Sequence, residues 1–123
     1  MKSTKPKARV RETIVLQISG GKIAKSGDID SSNNIHTNQG HKIVFQYPYP
    51  PEIFALFILK FTPQVGVSNN DETPFNAKVY ITDSGELSLN VKQSAKKGSY
   101  DYRLALLDTT GKLFTEDPQI IVQ

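Results

Sequence analysis

The sequence predicts an all-β protein in which about seven strands form two antiparallel sheets packed face to face. Three observations lead to this fold class. Short segments rich in aliphatic and aromatic residues recur along the chain, and several of them alternate apolar with polar side chains as half-buried strands do. Segments rich in Gly, Pro, Asn, Asp and Ser separate them, as expected of turns and loops. No stretch has the apolar spacing of a convincing helix.

The first half of the chain begins with a strand at 13–19, which ends at Gly20-Gly21. The segment 22–41 that follows is rich in Gly, Ser, Asn and Asp, and predicts a long loop with room for one short edge strand. A clear strand follows at 42–47, and the prolines within 47–51 predict a stiff, extended connection.

The second half of the chain carries further strands, predicted at 53–62, 77–82, 86–92, 99–107 and 113–122. In the second of these, the apolar Val79 and Ile81 are expected to face inward. Pro118 indicates that the closing strand lies at an edge or contains a bulge.

Residues 53–62 form the most apolar stretch and are expected to be the central strand. At strand period, the polar Lys60 and Thr62 share a face with three apolar residues, Phe54, Leu56 and Ile58. Lys60 and Thr62 place that face nearer water. The three apolar side chains are therefore expected either to contact another protein chain or to be covered by a loop or the N-terminal segment of this one. A helix is the third alternative, which the prolines on both sides of the stretch disfavour.

The segments 98–106 and 117–122 resemble the last hairpin of an immunoglobulin-like sandwich. Tyr100 stands where such folds place a corner tyrosine, whose hydroxyl bonds to nearby backbone. The chain differs from antibody-type domains in having no Trp and no Cys, and Tyr102 stands in place of the second cysteine. The final segment also resembles the DP-EP family of small uncharacterised bacterial proteins. Both resemblances imply a fold, a single immunoglobulin-like antiparallel β-sandwich, and neither implies a chemistry.

The positive charge of the chain is concentrated at its N-terminus. The formal net charge of the chain is +3. The first eleven residues contain no acidic residue, and they include five basic ones: Lys2, Lys5, Lys7, Arg9 and Arg11. We therefore expect 1–11 to be a disordered basic tail and 12–123 to be a single, mildly acidic sandwich domain. Such a domain lacks the broad positive surface of a nucleic-acid binder, so nucleic acid is disfavoured as a partner.

The composition also excludes several classes of protein. No apolar run is long enough for a membrane helix, and the apolar part of the N-terminus is too short and too interrupted for a signal peptide. The absence of cysteine excludes a disulfide scaffold, a thiolate metal site and a cysteine nucleophile. We expect a cytoplasmic protein with no membrane contact.

Candidate metal ligands occur in the segment 26–41. His36 and His41 are the two histidines of the chain, and Asp28 and Asp30 lie just upstream. Imidazole and carboxylate groups are suitable metal ligands, but spacing within a loop fixes no geometry, and exposed loop histidines are the alternative. A calcium loop of the EF-hand type is disfavoured because the Gly and Glu that it requires are replaced.

No motif for catalysis is present: the sequence lacks both a Gly-x-Ser-x-Gly elbow and a phosphate-binding loop. We therefore expect a non-enzymatic binding module without a cofactor. It would act through protein–protein contact, with self-association included. The expected contact residues are Phe54, Leu56 and Ile58, joined by Tyr49, which belongs to no strand face. The alternative is a sandwich that binds a small ligand or a metal ion through the 26–41 loop.

Overall fold

The computed structural model describes residues 10–48, 53–63, 73–116 and 119–123. This part of the chain contains no helix, and so no helix that could cross a membrane. It forms ten strands: β1 (Arg11–Ser19), β2 (Lys22–Gly27), β3 (Ile35–Thr37), β4 (Lys42–Gln46), β5 (Ile53–Pro63), β6 (Val79–Thr82), β7 (Glu86–Asn90), β8 (Gly98–Leu107), β9 (Leu113–Glu116) and β10 (Gln119–Val122).

Two sheets packed together make an all-β sandwich, which confirms the predicted fold class. The first sheet has the order β2-β1-β4-β7, and the second has the order β3-β10-β8-β5-β6, with β9 paired to the C-terminal half of β8. Most pairs are antiparallel, but β1–β4 and β3–β10 are parallel, which corrects the expectation of purely antiparallel sheets. Between β1 and β4 the chain crosses to the second sheet and forms β3, and this crossover lets β4 run in the same direction as β1.

The strands beyond the expected seven arise in two places. β2 and β3 lie within the segment 22–41, which was predicted mainly as loop. β2 forms a hairpin with β1 through Gly20 and Gly21, whose φ angles of 61° and 76° suit a two-residue hairpin turn. β9 and β10 together occupy the predicted closing strand, and the residues between them, 117–118, lie outside the described residues.

The central strand β5 contains one extra residue that reverses its faces. Ile58 pairs with Tyr102 of β8 and Lys60 pairs with Asp101, so Leu59 between them opposes no residue and forms a β-bulge. Because side chains alternate with a period of two, the bulge moves Lys60 to the face opposite the one that counting along the sequence gives.

The three apolar residues predicted to form an outward contact surface therefore point into the core. Phe54, Leu56 and Ile58 are 0%, 0% and 8% exposed. The prediction of an outward surface at these residues was wrong, because it assigned the faces from Lys60 and Thr62 across the bulge. Those two polar residues are exposed, but they share the face of Ile53 and not the face of Phe54.

Aromatic side chains connect the two sheets. The ring of Phe45 on β4 lies 6.5 Å from the ring of Phe54 and 6.0 Å from the ring of Tyr102, measured between centroids. Near the start of β8, the Tyr100 hydroxyl donates a hydrogen bond to the backbone oxygen of Lys96 at 2.7 Å. This is the backbone hydrogen bond predicted for a corner tyrosine.

β1 begins at Arg11, inside the segment predicted to be a tail. The backbone N–H of Lys42 donates to the oxygen of Val10 at 2.9 Å, so the sheet includes this residue as well. Residues 1–9 lie outside the described residues, and their disorder stays a prediction.

Candidate functional site

The outward side of the second sheet carries an apolar surface spread over four neighbouring strands. Residues that lie directly opposite each other in an antiparallel pair project from the same face. The register therefore brings together Ile53, Ala55 and Phe57 of β5, Val79 and Ile81 of β6, Ala105 and Leu107 of β8, and Leu113 of β9. We call this surface the outer apolar face.

The outer apolar face has an exposed rim and a shallow centre. At the centre, Ala55 pairs directly with Ala105, and Ala55 is buried between its neighbours at 3% exposure. The four rim residues are exposed by 65% for Ile81, 61% for Leu113, 49% for Val79 and 42% for Ile53. Large aliphatic side chains thus surround a flat middle.

Val79 and Ile81 were expected to face inward, and the structure places them outward. In β6 the side chains of Tyr80 and Thr82 are the ones that oppose the inward-facing Leu56 and Phe54 of β5. The sequence of β6 alternates apolar with amphipathic residues, so its periodicity gives two faces without saying which one lies inside.

Charged side chains lie beside the bulge end of the outer apolar face. Arg103 is exposed and pairs with Phe57, and Lys60 and Asp101 follow beyond the bulge. Among the described residues, no charged side chain lies in the pairing rows of Ile53 and Ala55. The rows of Ile53 and Ala55 are therefore electrically neutral.

The outward side of the first sheet has a different composition. Two successive rows of paired residues there read Thr13–Val44–Ser88 and Val15–Gln46–Glu86. Each valine is flanked by polar side chains, and Val15 is 38% exposed, as expected of a sheet face in contact with water, whereas Val44 is 0% exposed. Of the two outward faces, the outer apolar face is the one that departs from the pattern of a water-facing sheet.

The candidate metal ligands are separated into two hydrogen-bonded pairs. The Nε2 atom of His36 lies 2.8 Å from Oδ2 of Asp30, and the Nδ1 atom of His41 lies 2.8 Å from Oε2 of Glu12. Glu12 also accepts a hydrogen bond from the hydroxyl of the buried Thr37. The structure therefore does not bring His36 and His41 together with Asp28 and Asp30 as one metal centre. In the described ranges, no group of three or more His, Asp or Glu side chains could hold a metal ion.

The two aspartates fix the loop between β2 and β3. Asp28 Oδ2 accepts the backbone N–H of Thr13 at 2.7 Å, and Asp30 Oδ1 accepts the backbone N–H groups of Ser32 and Asn34 at 2.8 and 3.0 Å. The hydrogen bond from Asn34, followed by that from the His36 ring, lowers the pKa of Asp30. Turn stabilisation accounts for these carboxylates.

Asp28, Asp30 and His36 nevertheless line a common groove of about 400 Å³, together with Arg11 and Glu12. Its carboxylates are already hydrogen-bonded within the chain, as described above, so a ligand would have to displace those bonds.

A second groove, of about 500 Å³, lies at the C-terminal end of β4. Val15, Tyr47, Pro48 and Glu86 are among its lining residues. Tyr49, predicted as a contact residue, lies outside the described residues.

A buried ionic cluster connects the two sheets along one side. The Lys25 ammonium on β2 lies 2.6 Å from Oε1 of Glu116 on β9 and donates to the backbone oxygen of Asn33 at 2.7 Å. The same ammonium stands 5.9 Å above the ring of Tyr102. The Lys25 side chain is 0% exposed, and this desolvation lowers its pKa against the opposing effect of Glu116. The sequence does not reveal this cluster, because Lys25 lies in a polar segment far from Glu116 along the chain.

The hydroxyl of Tyr102 is buried within this cluster. Within the described residues, the Tyr102 hydroxyl and the Glu116 Oε2 atom are buried and have no hydrogen-bond partner. Burial raises the pKa of Tyr102 well above its usual value, and the charge of Glu116 adds to this effect. The cluster joins β2 of the first sheet to β8 and β9 of the second.

Comparisons with known proteins provide no family for this chain. No family model matches it, and no curated protein matches it. Among solved structures, one similar chain is the McoA multicopper oxidase from the hyperthermophile Aquifex aeolicus, with 14% identity and a TM-score of 0.36. The match covers 98% of this chain and 32% of the oxidase, so this chain spans about a third of that protein's length. A TM-score of this size carries no argument about fold or function.

Proposed function

We propose that this protein is a non-enzymatic protein-binding module and that its partner covers the outer apolar face. The observation that supports the proposal is the difference between the two outward faces. On the outward side of the first sheet polar residues flank each valine, whereas the second sheet presents four half-exposed aliphatic side chains around the Ala55–Ala105 pair. A contiguous apolar surface of this kind on a soluble domain is typical of an interaction site.

The energetics of covering this face are favourable. Each of the rim residues Ile53, Val79, Ile81 and Leu113 has about half of its surface exposed. Burying the exposed part of such a side chain is worth roughly 1 kcal/mol. The paired rows of Ile53 and Ala55 contain no charged side chain, so a partner does not have to desolvate an ion there.

A binding role for the 26–41 loop has less support. Its carboxylates hold the β2–β3 connection through the hydrogen bonds of Asp28 and Asp30, and His36 is paired with Asp30. A metal ion would have to break contacts that stabilise the loop. We therefore favour the outer apolar face as the site.

The same proposal includes a sandwich of the immunoglobulin-like type in the cytoplasm. The hydrogen bond of Tyr100 to Lys96 supports the first part, because a corner tyrosine of this kind is a feature of such folds. The lack of cysteine is consistent with a reducing compartment and supports the second.

Site-specific photo-crosslinking tests the proposed site. A photo-reactive amino acid is placed at Ile81, and in a control protein at Gln17 on the outward side of the first sheet. We expect a discrete adduct from position 81, and we expect Val79→Lys in the same photo-reactive protein to reduce it. Equal labelling from both positions, or no adduct from position 81, would refute the proposal.

A further inference from the structure

We infer that the partner is a second copy of this chain, and that two copies pack their outer apolar faces together about a two-fold axis. This inference rests on the proposed function and names the partner for the same site. Two properties of the face carry it, namely its chemistry and its relief, and its size sets the expected strength of the contact.

The chemistry and relief of the face describe the partner that fits it. The middle is shallow because Ala55 lies opposite Ala105, and it is bounded by aliphatic residues such as Ile81 and Leu113. A complementary surface must itself be apolar, uncharged and nearly flat. The outer apolar face has these properties, so it can pair with itself in the isologous manner of a two-fold dimer. Two sheets packed in this way would resemble the sandwich already formed inside each chain.

The charges at one end of the face favour one relative orientation. Arg103 and Lys60 lie toward the bulge, whereas Ile53 and Leu113 lie away from it. If the two-fold axis runs across the strands, the strands of the two copies are antiparallel and the charged ends lie at opposite ends of the interface. The cationic groups of the two copies then do not face each other, which avoids like-charge repulsion.

The size of the face indicates how strong the dimer is. Four strands about 4.8 Å apart, with about five residues of roughly 3.3 Å each, give a flat footprint of roughly 300 Å². A stable interface of standard size buries about 800 Å² of accessible surface on each partner, so this contact belongs to the small, reversible class. We therefore expect a dissociation constant of about 10–100 µM, in the range of weak complexes.

Sedimentation velocity over a range of protein concentration tests the inference. The wild-type protein is measured from about 1 µM to about 1 mM, a range that brackets the expected dissociation constant. We expect the weight-average mass to rise toward that of two chains. Ile81→Lys and Val79→Lys, two changes at exposed residues of β6, are expected to weaken the dimer at least tenfold, whereas the matched control Gln17→Lys leaves it unchanged. Circular dichroism checks that each variant is folded.

Salt provides an independent readout. Ammonium sulfate strengthens apolar association, so it should strengthen this dimer, whereas a contact through the basic N-terminal residues would weaken as salt screens it. A wild-type protein that stays monomeric at about 1 mM would refute the inference. A dimer that Ile81→Lys and Val79→Lys leave intact would refute it as well, because another surface would then form the contact.

The outcomes separate this inference from the proposed function. If the purified protein is monomeric but position 81 gives an adduct with a different protein that Val79→Lys reduces, the second copy is excluded and the site stands. If position 81 gives no adduct and the protein is monomeric, both fail. If the adduct has the mass of two chains and Val79→Lys in the photo-reactive protein abolishes it, both are supported.

Discussion

Replacing Leu56 with alanine tests the assignment of the faces of β5. Leu56 is 0% exposed, and it lies opposite Leu104 of β8 and Tyr80 of β6 on the inward side of the second sheet. If the bulge had not reversed the faces, this residue would lie on a surface and its truncation would cost little. The structure places it in the core, where truncation leaves a cavity.

The magnitude follows from complete burial. Leucine-to-alanine changes at such positions cost 2–5 kcal/mol, and we expect about 3 kcal/mol for Leu56→Ala. For a domain of this size, a loss of 1 kcal/mol lowers the melting temperature by roughly 4 °C, so the expected decrease is roughly 12 °C. The matched control is Leu113→Ala, the same change at a residue that is 61% exposed. Its expected cost is below about 1 kcal/mol.

Urea denaturation followed by far-UV circular dichroism measures both variants, at a protein concentration low enough for the chain to be monomeric. The midpoint should fall for Leu56→Ala, with little change in the slope. A cost for Leu56→Ala of less than about 1 kcal/mol, or a larger cost for Leu113→Ala, would show that the faces of β5 are assigned the wrong way round.

Three further predictions concern polar groups. Lys25→Met leaves the Glu116 carboxylate without its ammonium partner and should lower the free energy of unfolding by about 3 kcal/mol in urea denaturation. The double variant Lys25→Met, Glu116→Leu should recover most of that loss. Equal losses for the single and double variants would contradict the buried pair. The pKa of Asp30 is lowered in the folded state, so its contribution to stability is present above its unfolded pKa of about 3.9 and is lost as the pH falls through the folded pKa. Asp30→Asn should therefore flatten the acid limb of the stability profile, and an unchanged limb would exclude this role. Tyr100→Phe removes the hydrogen bond to Lys96 and should lower the free energy of unfolding by about 1 kcal/mol in the same denaturation assay. An unchanged free energy of unfolding would contradict this prediction.

The fold class could be predicted from the sequence because local signals agreed with each other. Apolar alternation placed β4, β7 and β8 correctly, and the turn residues between the strands separated them. The pair Gly20-Gly21 also contains the signal for β2, since two glycines between polar-apolar segments favour a hairpin. β3 is three residues long and pairs with a distant strand, so no local pattern reveals it.

The site could not be predicted in the same way. A bulge depends on the pairing of two strands. The residues around Leu59 do not reveal that β8 contributes one residue fewer than β5 to this stretch of the pairing. The outer apolar face also needs the registers of β5, β6, β8 and β9 at once, because its members are scattered over the second half of the chain. The Lys25–Glu116 pair likewise depends on how the sheets meet at their edges.

The bulge at Leu59 also bears on how the protein avoids aggregation. A strand of eleven residues with an unbroken alternation would present one long, straight apolar stripe. Large exposed apolar surfaces make a protein prone to aggregation. The bulge increases the local twist and brings Lys60 and Thr62 onto the outward side, so the stripe ends after the first half of β5. The apolar surface that remains is short, and its charged end works against the growth of a filament.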